Sequence, residues 1–194
     1  EVIPAAVEKK MDVVLVTYNF TMGDRNDALM KSLHDAGVGV VAMKVMAGGR
    51  GPEAVALRER LAAQGGMLAA LKWTLRNPFV HTTIPSTTDM AQLDENLRAM
   101  AEPWAPADEK KLVARLERIR TDYCSMCGQC EGTCPQGLPV ADVLRYLTYA
   151  EGYGQFALGR EQFLAMPAAQ RDVRCGDCAE CAVRCPQGVE VARR

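Results

Sequence analysis

One short pattern, written twice, limits what this chain can fold into: Cys124, Cys127, Cys130 and Cys134 followed by Pro135, and Cys175, Cys178, Cys181 and Cys185 followed by Pro186. Each copy reads C-x2-C-x2-C-x3-C-P, and together they hold all eight cysteines of the protein. Thiols set so densely in fours are metal ligands by chemistry, and their spacing discriminates among metals. Structural zinc favours two C-x2-C pairs a dozen or more residues apart, so a third cysteine at the same short interval in both copies does not suit a tetrahedral ion. A disulfide framework scatters its cysteines through a small secreted domain, whereas here a long, core-rich stretch ahead of Cys124 has none. The spacing favours iron-sulfur chemistry over either.

The run resembles that of two-cluster ferredoxins. A cubane offers one iron at each of four corners, and thiolates at such short intervals reach three corners only if the backbone curls tightly around them. Gly128 and Gly176 are expected to help that curl by taking positive φ. The fourth cysteine leaves in another direction, and the proline after it fixes φ and removes a donor. The resemblance implies two 4Fe-4S clusters with exchanged fourth ligands: Cys124, Cys127, Cys130 and Cys185 for one, Cys175, Cys178, Cys181 and Cys134 for the other. The stretches Cys124 to Val140 and Cys175 to Val191 align without a gap, sharing the cysteines, the Pro-Gln-Gly that follows and a later valine, so a pseudo-two-fold arrangement is expected. Between them, Val140, Val143, Leu144 and Leu147 fall at helical spacing after Pro139, and Glu161 to Met166 reads as a second short helix. Residues 121–194 are thus expected to form a mainly helical cluster domain.

The chain is 48% hydrophobic and 24% charged with a net charge of −1, which suits a soluble globular protein and argues against a nucleic-acid partner. No apolar run is long enough to predict a membrane segment. Ligand thiols fit a reducing, cytoplasmic compartment, although the chain opens at Glu1 in what reads as mid-helix, which leaves room for an export signal upstream.

Ahead of the cysteines, strands and helices alternate. Met11 to Tyr18 is a β-branched apolar run of strand length. Asp27 to Ala36 reads as a helix with Leu29, Met30 and Leu33 on one face and Gly37 as its stop. Val38 to Val45 is a second buried strand, closed by Gly48 and Gly49. Pro52 and Glu53 open a helix to Ala63, Gly65 and Gly66 interrupt it, and Met67 to Arg76 continue until Asn77-Pro78. A third strand is expected at Val80 to Ile84. Two helices follow: Asp89 to Met100, with Asp89 and Gln92 in capping-box register, and Ala107 to Arg120, with Leu112, Leu116 and Ile119 on one face. Repeated βα units of this kind make a parallel sheet covered by helices.

The order DVVLVTYN, GVGVVAMKVMAGG and ALKWTLRNPFVHTTIPSTTDMAQLDENLRAM resembles the last three strands and final helices of an aldo-keto reductase, in the branch with a C-terminal ferredoxin-like domain. The resemblance covers essentially the whole chain and is most specific from Trp73 to Asn96. It implies that residues 1–120 are the C-terminal part of a (β/α)8 TIM barrel, with sites at the C-terminal ends of the strands. It places an NAD(P) site on Met43, Lys44 and Met46 after one strand and on Ser86, Thr87, Glu95 and Asn96 after the next. Thr87 to Asp89 would start a helix suited to an anion. Met43 stands where many members have an aromatic residue, Leu15 where many have a glutamine, and Gln92 where a basic residue would read a 2′-phosphate.

The family's catalytic aspartate, tyrosine, lysine and histidine come from the first half of the barrel, which this sequence does not contain. The expectation is therefore a C-terminal part of a longer oxidoreductase that acts on a small carbonyl substrate, inactive in carbonyl reduction by itself. A different class of function is an electron-transfer or partner-binding module for a redox protein on an inactive scaffold. Remaining residues have structural readings: Lys44 either meets a phosphate or snorkels from a strand end, His34 and His81 are each read as isolated, and Tyr146, Tyr149 and Tyr153 pack over the clusters.

Overall fold

The computed structural model describes residues 2–22, 25–47 and 65–194. They form a mixed α/β protein of two compact units, one made of residues up to Ala47 together with Gly65 to Arg115, the other of Leu116 to Arg194. In the first unit the order is α1 (Val2–Glu8), β1 (Val13–Thr17), α2 (Arg25–Asp35), β2 (Gly39–Met43), α3 (Gly66–Leu75), β3 (Thr82–Thr83), α4 (Met90–Ala101) and α5 (Pro106–Ile119), whose last turn counts with the second unit. The strands make one parallel sheet in the order β1-β2-β3, with Leu15 opposite Val41 and Val41 opposite Thr82.

Because successive strand residues point to opposite faces, the register sorts the apolar residues into two sets. Val14, Val16, Val40 and Ala42 are buried with Met30 and Leu33 of α2 and Leu68 and Leu71 of α3. On the opposite face, Val13, Leu15 and Ile84 are 58%, 49% and 55% exposed. One side of the sheet is thus an ordinary helix-covered core. The other is apolar and left uncovered by the described residues.

Several elements differ from expectation in instructive ways. In α2, Met30 and Leu33 are buried as predicted but Leu29 is exposed, so the core stripe is narrower than its composition suggests. The third strand contracts to Thr82–Thr83, flanked by single backbone bonds from His81 N–H to Val40 and from Ile84 N–H to Ala42. An edge strand paired on one side only needs few residues. α3 begins at Gly66 behind Gly65, whose φ of 66° is the left-handed value glycine tolerates. The Gly48-Gly49 closure and the helix predicted from Pro52 to Ala63 lie outside the described residues. The start of α4 is capped reciprocally: the Asp89 carboxylate accepts from Gln92 N–H at 2.9 Å, while the Gln92 side chain accepts from Thr88 N–H at 3.0 Å.

Among the buried polar side chains of this unit, two groups hold ionisable residues in hydrogen bonds to one another. Lys72 of α3 is only 6% exposed, and its Nζ lies 2.6 Å from Asp108 and 3.8 Å from Glu102. Asp108 also accepts from the Ala105 N–H at 3.0 Å, which holds the start of α5. Burial alone would raise the Asp108 carboxyl, but the Lys72 hydrogen bond, the Ala105 amide and the charges of Lys72 and Lys111 outweigh it and hold the group below the usual range. The second group is Tyr18, whose hydroxyl donates to Asp27 at 2.5 Å and accepts from Asn77 at 2.7 Å beside the Trp73 ring. Burial and the Asp27 carboxylate push this phenol up.

The second unit contains α6 (Val140–Leu147), a π-helical turn over Thr148–Gly152, α7 (Phe156–Leu164), α8 (Ala168–Arg171) and a 3-10 turn at Cys175–Asp177. α7 starts ahead of the predicted Glu161, and its Gly159 lies close to the chain at Tyr146. A Cβ there would lie 2.6 Å from the Tyr146 carbonyl oxygen. Among the described residues, the unit's extended pairing is a single antiparallel bridge between Glu131 and Arg184, closed by two backbone bonds of 2.9 Å.

Candidate metal centre

The Glu131–Arg184 bridge ties one cysteine run to the other, since Glu131 follows Cys130 and Arg184 precedes Cys185. Gly132, at φ 78°, lies so close to the second run that a Cβ would fall on the Ala182 carbonyl oxygen. In the first run the curl uses Met126 at φ 58° and Gly128 at φ 70°. Gly176 is not in the left-handed region; the second run curls through its 3-10 turn instead, so the two copies solve the same wrapping problem differently. After each fourth cysteine the chain reverses in a β-turn, with Gly137 N–H bonded to Cys134 O at 3.0 Å and Gly188 N–H to Cys185 O at 3.1 Å.

The thiols fall into two electrostatic groups. Cys124 is pushed up by burial, and also by the charges of Cys127, Cys130 and Cys185, against the backbone N–H of Met126 at 3.4 Å. Cys130 is raised by burial and by Cys185 and Cys127. Cys175 is raised by burial and by Cys134, Cys181 and Cys178. The charges acting on Cys124 and on Cys175 thus each include that of one cysteine from the other run. Charge acts beyond ligand distance, and among the described residues no three His, Cys, Asp or Glu stand close enough to share a single metal ion. All eight cysteines are free thiols.

Four acidic thiols held together repel one another as they ionise, and the burden is relieved by metal cations among them. This donor set fits an iron-sulfur group. Burial raises the Tyr153 phenol, with Tyr123 as hydrogen-bond partner and the charges of Tyr149 and Cys124 acting on it. Gln136, from the first run, donates from Nε2 to Cys178 Sγ of the second at 3.1 Å. The Gln136 contact was not visible in the spacing, where Pro-Gln-Gly showed only as a shared part of the repeat.

The residues assigned by resemblance to a nucleotide site lie elsewhere, in the first unit. Met43 ends β2, and Lys44 follows at φ 56° with its carbonyl accepting from Asn19 Nδ2 at 3.1 Å. The Met46 carbonyl accepts from the buried Arg115 guanidinium at 2.6 Å. Ser86 and Thr87 are exposed after β3, and Asn96 donates to Thr87 Oγ1 at 2.9 Å. Glu95 accepts a hydrogen bond from the Leu68 backbone, and burial leaves its carboxyl raised. That contact supplies a cap to α3, whose N-cap glycine has no side chain to offer. Gln92 is occupied in the α4 cap.

The histidines are not isolated. His34 and His81 stack with ring centroids 5.8 Å apart, beside Phe79, and His81 Nδ1 accepts from Val40 N–H at 3.0 Å. Their separation in the chain concealed that the turn after α3 returns to α2.

Residues 123–190 match the family model of a 4Fe-4S dicluster domain. No curated protein and no solved structure matches the chain. The match supports an iron-sulfur ferredoxin-like domain at residues 123–190. No described helix is long and apolar enough to cross a membrane.

Proposed function

We propose that the C-terminal domain is an electron-transfer module holding two 4Fe-4S clusters with exchanged fourth ligands. The carrying observation is the match of residues 123–190 to a 4Fe-4S dicluster domain over two complete four-cysteine runs. When bound, each cluster supplies one-electron uptake and release. The protein's part is to hold the thiols, limit solvent around them through Tyr153 and its neighbours, and present the module to a redox protein partner. Anaerobically prepared protein should contain about eight iron and eight acid-labile sulfides. Replacement of Cys134 by alanine should damage chiefly the cluster of Cys175, Cys178 and Cys181. Damage confined to the Cys124 group would refute the exchange.

A second reading concerns the unit ahead of the clusters. The three consecutive parallel strands with an uncovered apolar face support a piece of a larger barrel, in keeping with the aldo-keto reductase resemblance. In this reading the parent is an NAD(P)-linked carbonyl oxidoreductase whose catalytic residues lie upstream, and Met43, Lys44, Met46, Ser86, Thr87, Glu95 and Asn96 approach the nucleotide. A nicotinamide moves two electrons as hydride, so the clusters then serve a partner or the fold rather than the hydride step. The present chain should reduce no carbonyl with either nicotinamide. Turnover by it would refute the division of labour. In the parent, Asn96→Ala should weaken nucleotide binding more than folding, and unchanged affinity would remove Asn96 from the site.

A further inference from the structure

We infer that the Gln136 side-chain amide sets the reduction potential of the cluster held by Cys134, Cys175, Cys178 and Cys181, and makes the two clusters unequal. The inference rests on the iron-sulfur reading above. Its starting point is the 3.1 Å contact from Gln136 Nε2 to Cys178 Sγ, which joins residues 42 apart in the chain. A metal-bound thiolate has no proton to give and can only accept, so Nε2, not Oε1, is the atom that suits it.

The local chain explains why this residue reaches the sulfur. Cys134 to Gly137 form a closed turn, with Pro135 fixing the second position and Gly137 at φ 77° completing it. Gln136 therefore sits at a turn tip two residues after Cys134, with its side-chain amide on Cys178 of the other run. The repeat provides an internal comparison. Gln187 occupies the same place in the turn from Cys185 to Gly188. Yet among the described residues no side-chain amide bonds to a thiol of the Cys124 set, where the contact is the backbone N–H of Met126.

Reduction adds negative charge to a cluster and its sulfurs, and a hydrogen-bond donor stabilises the more negative state more. Gln136 should therefore raise the potential of its cluster. The side chain is exposed, so its amide has little packing to lose and water competes for the sulfur, which keeps the effect moderate. It is a positioning residue, not a ligand.

The experiment is an anaerobic titration with dithionite, one electron per cluster, followed by electron paramagnetic resonance. Gln136→Leu should disfavour reduction of one cluster by roughly threefold to tenfold, tenfold being about 59 mV for one electron, and leave the other cluster unmoved. Gln136→Glu, which removes the donor and adds a negative charge, should lower it further, whereas Gln136→Lys should restore or exceed the original value. Gln187→Leu should move neither cluster. Equal potentials in Gln136→Leu and the unaltered protein, with iron content intact, overturn the inference, as does an equal shift of both clusters. Unaltered protein that binds no iron overturns the iron-sulfur reading itself, and this inference with it.

Discussion

The two units are held together by different means. In the first, Val14, Val16, Val40 and Ala42 meet Met30, Leu33, Leu68 and Leu71 in an apolar core, and buried Lys72 is paired with Asp108. In the second, the buried apolar side chains among the described residues are few: Leu144, Met166, Val183 and Val189. Small domains without a large core draw stability from cross-links or metals. The difference teaches that one unit is specified by area removed from water and the other by ligand geometry.

The largest test of that contrast is removal of the metal. Oxidative or chelating loss of iron should unfold residues from about Tyr123 onward while the first unit keeps its amide protection, because ligand binding there is folding free energy. Hydrogen exchange resolved along the chain measures both at once. Protection retained throughout the second unit would break the comparison.

Next comes the buried ion pair of the first unit. Asp108→Ala strands Lys72 at 6% exposure beside the more distant Glu102, and should cost about 3–5 kcal/mol in chemical denaturation. Iron content should not change. Gly132→Ala is the reciprocal test in the second unit. It forces a methyl group onto the Ala182 carbonyl at a left-handed φ, which by strain alone costs about 1–3 kcal/mol. The expected result is loss of the Glu131–Arg184 bridge and lowered iron occupancy, with the first unit's melting unaffected.

Acid sharpens the same contrast. The Asp108 carboxyl lies below the usual range when folded, so its contribution is complete above the unfolded value of about 3.9 and is lost as pH falls through the folded value. First-unit stability should therefore fall on acidification below about pH 4, and Asp108→Asn should flatten that part of the profile. The smallest expected effect is Asp89→Ala, which removes the α4 cap and should cost about 1 kcal/mol in the first unit alone.

Local chemistry made much of this legible in advance. Val140, Val143, Leu144 and Leu147 announced α6, Asp89 and Gln92 announced the α4 cap, and the β-branched runs announced the parallel pair β1 and β2. Lys72 could have been noticed, since a single cation inside an apolar helix requires an acid from elsewhere. Which acid it finds depends on how α5 returns, and spacing contains no such information. Met126 taking positive φ beside Gly128 was equally hidden, because a turn held by tertiary contacts can impose a conformation that residue preference opposes.

By itself, the sequence determined the ligand type, the duplicated run and the alternation of strand and helix, all of which follow from spacing and side-chain chemistry within a few residues. The tertiary structure alone decided that Gln136 meets Cys178, that Gly132 seats against Ala182, that His34 stacks on His81 and that Lys72 pairs with Asp108. Those contacts join distant parts of the chain, and their partners are chosen by packing and by the need to satisfy buried charge and backbone groups, which only the complete fold sets.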